Sequence, residues 1–255
     1  FPSAGVATVT MEYSGQSDTI KLTLNPRGLT YHSFGSDKIY DGKTSVNKPG
    51  VALDDNQIFA TDTNFGEDDV DLNQTEGLIY KLDSAEVGPG RKVQVEGTPK
   101  LVGADAGFYI PTGMTEGEVE ILPAGFTVKV QTITPTVGTT IPTTITQDPT
   151  SDNHVTDNAG NPLPAGTTVA IKWEWNDNGE WKEVTGDKTF QKGTEYRPVV
   201  IVTPPSNYQM DTNQPNPGYT INGDTHGENG AEITIDGNVG TFIGAPTKLP
   251  STPIL

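Results

Sequence analysis

Glycine and proline interrupt this chain so often that few stretches could form a helix of ordinary length. The 255 residues include 29 Gly and 20 Pro. Gly costs backbone entropy inside a helix, and Pro lacks the amide hydrogen that a helix needs. Short runs of alternating apolar and polar residues lie between these interruptions, as in strands with one buried face. The sequence therefore predicts an all-β protein of tandem antiparallel β-sandwich domains with little helix.

The alternation is clearest near the beginning of the chain. Apolar residues occupy every second position from Ala7 to Tyr13 and again from Ile20 to Leu24, on either side of a turn rich in Ser and Gly. Residues 6 to 24 are therefore predicted to form a hairpin with one buried face. The same pattern predicts further strands around 93–95, 119–121 and 126–130.

The charge balance excludes two classes of partner. The chain has 16 basic and 33 acidic residues, so its formal charge is -17, which repels nucleic acid phosphates and anionic lipid surfaces. It also lacks an apolar run of about 18 residues, the length that spans a bilayer as a helix. We therefore expect no nucleic acid partner and no direct membrane insertion.

A weak internal repeat predicts where the domains meet. The run Leu24-Asn25-Pro26-Arg27-Gly28-Leu29-Thr30 matches Ile121-Leu122-Pro123-Ala124-Gly125-Phe126-Thr127 in register, although chance resemblance of two strand ends is an alternative. Pro ends a strand and Gly lets the chain bend, which suits a junction. We predict a closing hairpin of a preceding or partial module at 1–25, a β-sandwich at 26–122, a second at 123–245 and a Pro/Thr-rich linker at 246–255.

Three ordered motifs resemble the YDG repeat of bacterial surface proteins and adhesins. They are the runs 38–44, 87–95 and 101–109, with Pro89 and Phe108 departing from the family pattern. The positions that carry the motifs are Tyr40, Asp41, Gly42, Gly88, Gly103, Asp105 and Tyr109. The resemblance covers roughly residues 26 to 122. It implies an extracellular β-sandwich spacer that is repeated along a long chain and has no catalytic residue.

The tripeptide itself needs no chemistry to explain it. An Asp in a turn can accept a hydrogen bond from the backbone two residues later, and Gly supplies a positive φ. A structural turn is therefore favoured over a ligand site at Tyr40, Asp41 and Gly42.

The following segment resembles immunoglobulin-like modules of Gram-positive surface proteins, on a Trp-rich strand and the run Phe190 to Tyr196. A three-residue loop from Asp177 to Gly179 would place Trp175 opposite Trp181. The tryptophans then have two interpretations, a platform on which a sugar stacks and a core or cross-strand pair. The core is favoured because Trp173 and Trp175 are in phase with apolar residues of the same strand.

Acidic residues are concentrated between positions 54 and 76, where eight carboxylates occur without a single Lys or Arg. Asp62, Asp68, Asp69 and Asp71 are the candidate calcium ligands. Their spacing does not match the calcium loop with ligands at alternate positions, so a solvated acidic face is favoured. In the YDG pattern an acidic pair near positions 68 and 69 introduces a strand. We expect no cofactor, with a weak calcium site as the alternative.

Catalysis finds little support in the sequence. The chain has three His, no His-Glu-x-x-His run and no Gly-x-Ser-x-Gly turn, so we expect no enzyme. A separate hypothesis is a covalent bond between Lys129 and Asn222, since a load-bearing surface protein without cysteine could be cross-linked in this way.

Taken together, these features predict a non-enzymatic spacer or stalk segment of an adhesin-like protein on the bacterial cell surface, flanked by neighbouring modules of the same chain. One alternative is a module that binds a host or cell-wall glycan, or a protein, through aromatic residues of the second domain. Another is an accessory region of a carbohydrate-active enzyme.

The short junction at Leu122-Pro123 generates a testable expectation. It leaves almost no linker between two predicted strands, so the sequence favours domains that stand end to end. Small-angle scattering measures this directly. The spacer hypothesis expects a radius of gyration clearly above the single-domain value of about 18 Å, and a value near that figure would contradict it.

Overall fold

The fold is all-β, as the alternating pattern predicts. The computed structural model describes residues 5–54, 68–73, 76–186, 188–211 and 218–251. Within these ranges one turn of 3-10 helix, Ala106–Phe108, accompanies the strands. No helix among them is long and apolar enough to cross a membrane. The chain divides into two compact units, Phe1–Leu122 and Pro123–Leu255.

The first unit contains eleven described strands. They are β1 Gly5–Tyr13, β2 Gln16–Leu24, β3 Arg27–Ser36, β4 Lys38–Ile39, β5 Asn47–Leu53, β6 Asp71–Asn73, β7 Ile79–Leu82, β8 Gly88–Glu96, β9 Lys100–Val102, β10 Tyr109–Thr115 and β11 Glu118–Leu122.

Two larger sheets build this unit, in the orders β10-β3-β5 and β4-β11-β8-β7, and β6-β9 and β1-β2 form separate pairs. Alternate residues of β3, namely Leu29, Tyr31 and Ser33, are buried, which is the period of two that a half-buried strand requires. Val119 and Ile121 of β11 are buried in a cluster with Leu82 and Val93. Apolar burial of this kind is the main favourable term for a chain without disulfides.

The second unit also contains eleven described strands. They are β12 Ala124–Phe126, β13 Lys129–Gln131, β14 His154–Thr156, β15 Thr168–Asp177, β16 Glu180–Glu183, β17 Glu195–Thr203, β18 Tyr208–Met210, β19 Thr220–Ile221, β20 Glu232–Asp236, β21 Val239–Ile243 and β22 Thr247–Lys248.

A six-stranded sheet dominates the second unit. Its order is β16-β15-β17-β21-β20, and β22 pairs with one end of β17. Smaller sheets have the orders β14-β13-β19 and β12-β18. One core cluster includes Val130, Val200 and Phe242, and another surrounds Trp173.

The pairing differs from the purely antiparallel expectation. Four pairs are parallel: β10 with β3, β11 with β4, β12 with β18, and β13 with β19. In the first unit the last strands run beside early strands in the same direction. The predicted strand at 126–130 is likewise divided, since its ends belong to β12 and β13.

Two expectations about the ends of the chain need correction. The hairpin at 6–24 forms as β1 and β2, but its predicted inner face is exposed. The segment expected to be a linker is structured over its described part, because Thr247–Lys248 pair with β17 and Leu249 is buried. Residues 252–255 lie outside the described ranges.

Candidate functional site

The Tyr-Asp-Gly turn encloses a buried lysine. Lys38 begins β4, and its side chain is 3% exposed. The ammonium group donates hydrogen bonds to Asp41 Oδ1 at 2.7 Å, to the carbonyl oxygens of Lys43 and Ser45 at 3.1 Å each, and to Ser45 Oγ at 3.2 Å. A buried ammonium is costly unless it is paired and hydrogen-bonded, and these acceptors satisfy that requirement. Lys38 therefore holds the loop that follows it.

Asp41 and Gly42 give the loop its shape. Asp41 Oδ1 accepts the backbone N–H of Lys43 at 2.9 Å, which is the local bond that the sequence predicts, and Gly42 has φ of 70°. The hydrogen bond from the Lys38 ammonium, followed by that from the Lys43 amide, lowers the pKa of the Asp41 carboxyl. Tyr40 packs against the Val119 and Ile121 cluster, and its N–H donates to Leu122 O at 2.8 Å.

The third motif binds the acidic pair. The Asp69 N–H donates to Asp105 Oδ2 at 2.9 Å, and Asp69 Oδ2 accepts the Ala104 N–H at 2.9 Å. Gly103 has φ of 110°, and a Cβ there would lie 2.2 Å from the Asp69 carbonyl oxygen. The Tyr109 hydroxyl donates to Asp68 Oδ2. These carboxylates therefore close a loop of the fold.

Gly88, in the second motif, also has a left-handed backbone, with φ of 139°. Arg91 lies beside it and donates from its guanidinium to the carbonyl oxygens of Glu86 at 2.8 Å and Val87 at 2.6 Å. The described residues of all three motifs thus serve turns and loop closure.

The structure gives the candidate calcium ligands separate partners. Asp71 Oδ1 accepts the Leu72 N–H at 2.7 Å, while Asp68 and Asp69 bind the closing motif. Asp62 lies outside the described residues. Across the part of the chain that the structure describes, no three His, Cys, Asp or Glu side chains are grouped to hold a metal ion.

The tryptophans do not form the predicted pair. Asn178 and Gly179 have φ of 55° and 98°, so the hairpin has a two-residue turn rather than a three-residue loop. The register therefore places Trp181 opposite Asn176 and Trp175 opposite Lys182. Because side chains alternate between faces, a shift of one residue moves Trp175 and Trp181 to opposite faces of the sheet.

Each tryptophan has a different environment. Trp173 is 2% exposed and packs edge to face on Phe190, with ring centroids 5.0 Å apart. Trp181 lies under the guanidinium of Arg197, whose carbon is 4.2 Å from the ring centre, and Arg197 pairs with Glu174 at 2.8 Å. The core interpretation fits Trp173 and also the buried part of Trp175, which packs against the same cluster, while a cation–π contact occupies Trp181.

Trp175 lines a groove in the second unit. The groove has a volume of about 340 Å³, within the range of small-ligand pockets. Tyr196 adds a second aromatic ring, and polar side chains of Lys188, Thr189 and Gln191 line the same groove. One aromatic surface beside several hydrogen-bonding groups is an arrangement that can hold a polar ring.

The residues proposed for covalent cross-linking have unsuitable surroundings. Lys129 is exposed and lies opposite Thr156 and Thr220. Asn222 Oδ1 accepts the Thr132 N–H at 2.7 Å, and Asn222 Nδ2 donates to Thr132 Oγ1 at 3.0 Å. A desolvated lysine is needed for attack on an amide, because a protonated ammonium is not a nucleophile. An exposed Lys129 does not meet that requirement.

Sequence reasoning missed the role of Lys38. A lysine in a strand is ordinarily expected on the wet face, whereas this one is buried. The available signal was an acid three residues later in a tight turn, which offers a carboxylate within reach of the ammonium.

Comparison with known families agrees with the motif assignment. The model of the YDG domain matches residues 25–116, so the first unit contains a YDG domain. No curated protein and no solved structure shows significant similarity to the chain.

Replacing Lys38 tests whether the motif stabilises the fold. In Lys38→Met the carbonyl oxygens of Lys43 and Ser45 lose their donor, and we expect the free energy of unfolding of the first unit to fall by about 2–4 kcal/mol. All three Trp lie in the second unit, so the measurement is amide hydrogen exchange at β4 and β11 rather than Trp fluorescence.

Lys43→Met is the matched control, because its side chain is exposed and only its backbone atoms join the network. We expect the amides of β4 and β11 in that variant to exchange hydrogen at the wild-type rate. Equal exchange in the two variants would show that the buried ammonium does not stabilise the loop.

Proposed function

We propose that this chain is a non-enzymatic spacer segment of an adhesin-like bacterial surface protein, located outside the cell. The observation that carries the proposal is that the YDG motif residues serve the fold. Lys38 and Asp41 bind each other within a turn, and Asp69 and Asp105 bind backbone amides of a loop. A motif used in this way preserves a domain shape, which is what a spacer contributes.

The composition agrees with that role. An acidic chain without cysteine stays soluble through charge repulsion, and its fold does not depend on the redox state of its surroundings. The hydrogen bonds of the described carboxylates Asp41, Asp69 and Asp105 account for these side chains without a substrate. Neighbouring modules of the same chain are then the expected contacts.

Domain replacement in the full-length protein tests the spacer role. Residues 25–251 are exchanged for an unrelated pair of β-sandwich domains of similar length. We expect antibody labelling of intact cells and ligand binding by the remaining domains to be unchanged, because a spacer contributes length rather than recognition. Labelling that requires permeabilised cells would contradict the location, and loss of ligand binding with normal labelling would contradict the spacer role.

A second candidate function is glycan binding in the second unit, favoured by the groove beside Trp175. The exposed part of its ring could stack on the apolar face of a pyranose, and Gln191 and Thr189 carry groups that hydrogen-bond hydroxyls. These two side chains already bind each other, since Gln191 Nε2 donates to Thr189 Oγ1 at 2.9 Å. That bond preorganises the groove wall, which lowers the entropy cost of binding.

A glycan array probed with wild-type protein, Trp175→Ala and Trp181→Ala tests this second function. Trp181 is the matched control because it lies on the other face of the sheet against Arg197. For any glycan that the wild-type protein binds, we expect Trp175→Ala to lower the affinity at least tenfold, which corresponds to a loss of about 1.4 kcal/mol. We expect Trp181→Ala to bind the same glycan with wild-type affinity. Equal binding by all three proteins would show that the groove is not the glycan-binding site.

A further inference from the structure

The hairpin β1-β2 presents an unpartnered apolar face. Among the described residues, each of its strands pairs only with the other. The register sets Val9 opposite Ile20 and Ala7 opposite Leu22, so these side chains lie on one face. Val9, Ile20 and Leu22 are 41%, 47% and 46% exposed. The opposite face is mostly Thr, Ser and charged residues.

An isolated hairpin of this kind is marginally stable in water. The division of its faces into apolar and polar is the pattern of strands that pack one side on a core. The hairpin therefore has the alternating sequence of strands that pack on a core, but its apolar side chains are exposed to solvent.

The same chain shows what covers such a strand. In the internal repeat Leu24 corresponds to Ile121, so Leu22 corresponds to Val119. Val119 and Ile121 are 4% and 1% exposed, whereas Leu22 and Leu24 are 46% and 38% exposed. Val119 and Ile121 form one cluster with Leu82 and Val93 of their own sheet, and Tyr40, Val46 and Val87 pack against that cluster.

The boundary of the family domain supports the same correspondence. The YDG domain begins at residue 25, directly after β2. The first unit ends at Leu122, the last residue of the equivalent strand β11. Both strands therefore end at a Pro-containing junction where a new domain begins.

We infer that β1 and β2 are the closing strands of a further β-sandwich domain encoded before Phe1, and that the apolar face of the hairpin is part of that domain's core. The partner is a part of the same chain that presents apolar side chains, as Tyr40, Val46 and Val87 do to the cluster on the sheet β4-β11-β8-β7. Gly117 aligns with Ile20, and a Cβ at Gly117 would lie 2.0 Å from the Ser33 carbonyl oxygen. The preceding domain must therefore differ from the first unit at this position by leaving room for an isoleucine.

This inference rests on the proposed role as one segment of a chain of domains. Hydrogen exchange at the hairpin reports packing alone, so it separates the two ideas. If the hairpin amides were protected from exchange and the protein also bound glycans, the spacer role would be wrong but the inference about the hairpin would stand.

The experiment compares two proteins by amide hydrogen exchange. One is the 255-residue chain, and the other is the same chain extended by the roughly 100 residues encoded upstream, about one domain. We expect the amides of residues 6–24 to exchange at least 100-fold more slowly in the extended protein. Unchanged exchange would overturn the inference. Protection that grows with concentration in the 255-residue chain would also overturn it, by showing that a second copy covers the face.

Two neighbouring substitutions give a matched test in the extended protein. Leu22→Asp introduces a charge on the apolar face, and Thr23→Asp introduces the same charge on the opposite face. We expect Leu22→Asp to abolish the protection of the hairpin and Thr23→Asp to retain it. Equal protection in the two variants would show that the apolar face is not buried by the upstream domain.

Discussion

The buried ammonium group of Lys38 fixes the path of the chain between β4 and β5. Its bonds to the carbonyl oxygens of Lys43 and Ser45 turn the loop back on itself, which leaves the intervening Thr44 carbonyl free to accept the Leu82 N–H at 2.8 Å. The same motif connects to β11 through Tyr40. The loop that Lys38 holds thus reaches both edge strands of the sheet β4-β11-β8-β7, since Lys38 lies in β4 and Thr44 binds Leu82 of β7. A disulfide would do this in an oxidised secreted domain, and here a charge-assisted network does it without cysteine.

The closing motif applies the same principle to the acidic segment. The Asp69 amide donates to the Asp105 carboxylate, and the Asp105 amide donates to the Asp69 carbonyl oxygen. Gly103, with its positive φ and no Cβ, lets the two segments approach closely. A carboxylate that accepts an amide hydrogen satisfies a backbone group that would otherwise need water. The carboxylates of Asp68 and Asp69 therefore take part in loop closure.

Much of the fold follows from the sequence because local rules decide it. Alternation places Val119 and Ile121 in a strand, and turn chemistry predicts the bond of Asp41 and the backbone of Gly42. The candidate site was harder to predict from the sequence. The register of Trp175 depends on whether a loop has two residues or three, and one residue reverses the face. The burial of Lys38 depends on carbonyl groups that converge only in the folded chain, so no periodicity reveals it.

The two units therefore offer different routes to function. In the first, the motif carboxylates of Asp41 and Asp105 accept hydrogen bonds that hold loops of the fold, so changes there alter stability before recognition. In the second, the tight turn sends Trp181 to a cation–π contact on one face of the sheet. Trp173 and Trp175 share the other face, where Trp173 is buried and Trp175 packs against the same cluster and lines a groove. The groove beside Trp175 sets aromatic surface next to the polar side chains of Lys188, Thr189 and Gln191. A small ligand of the second unit is thus best sought there.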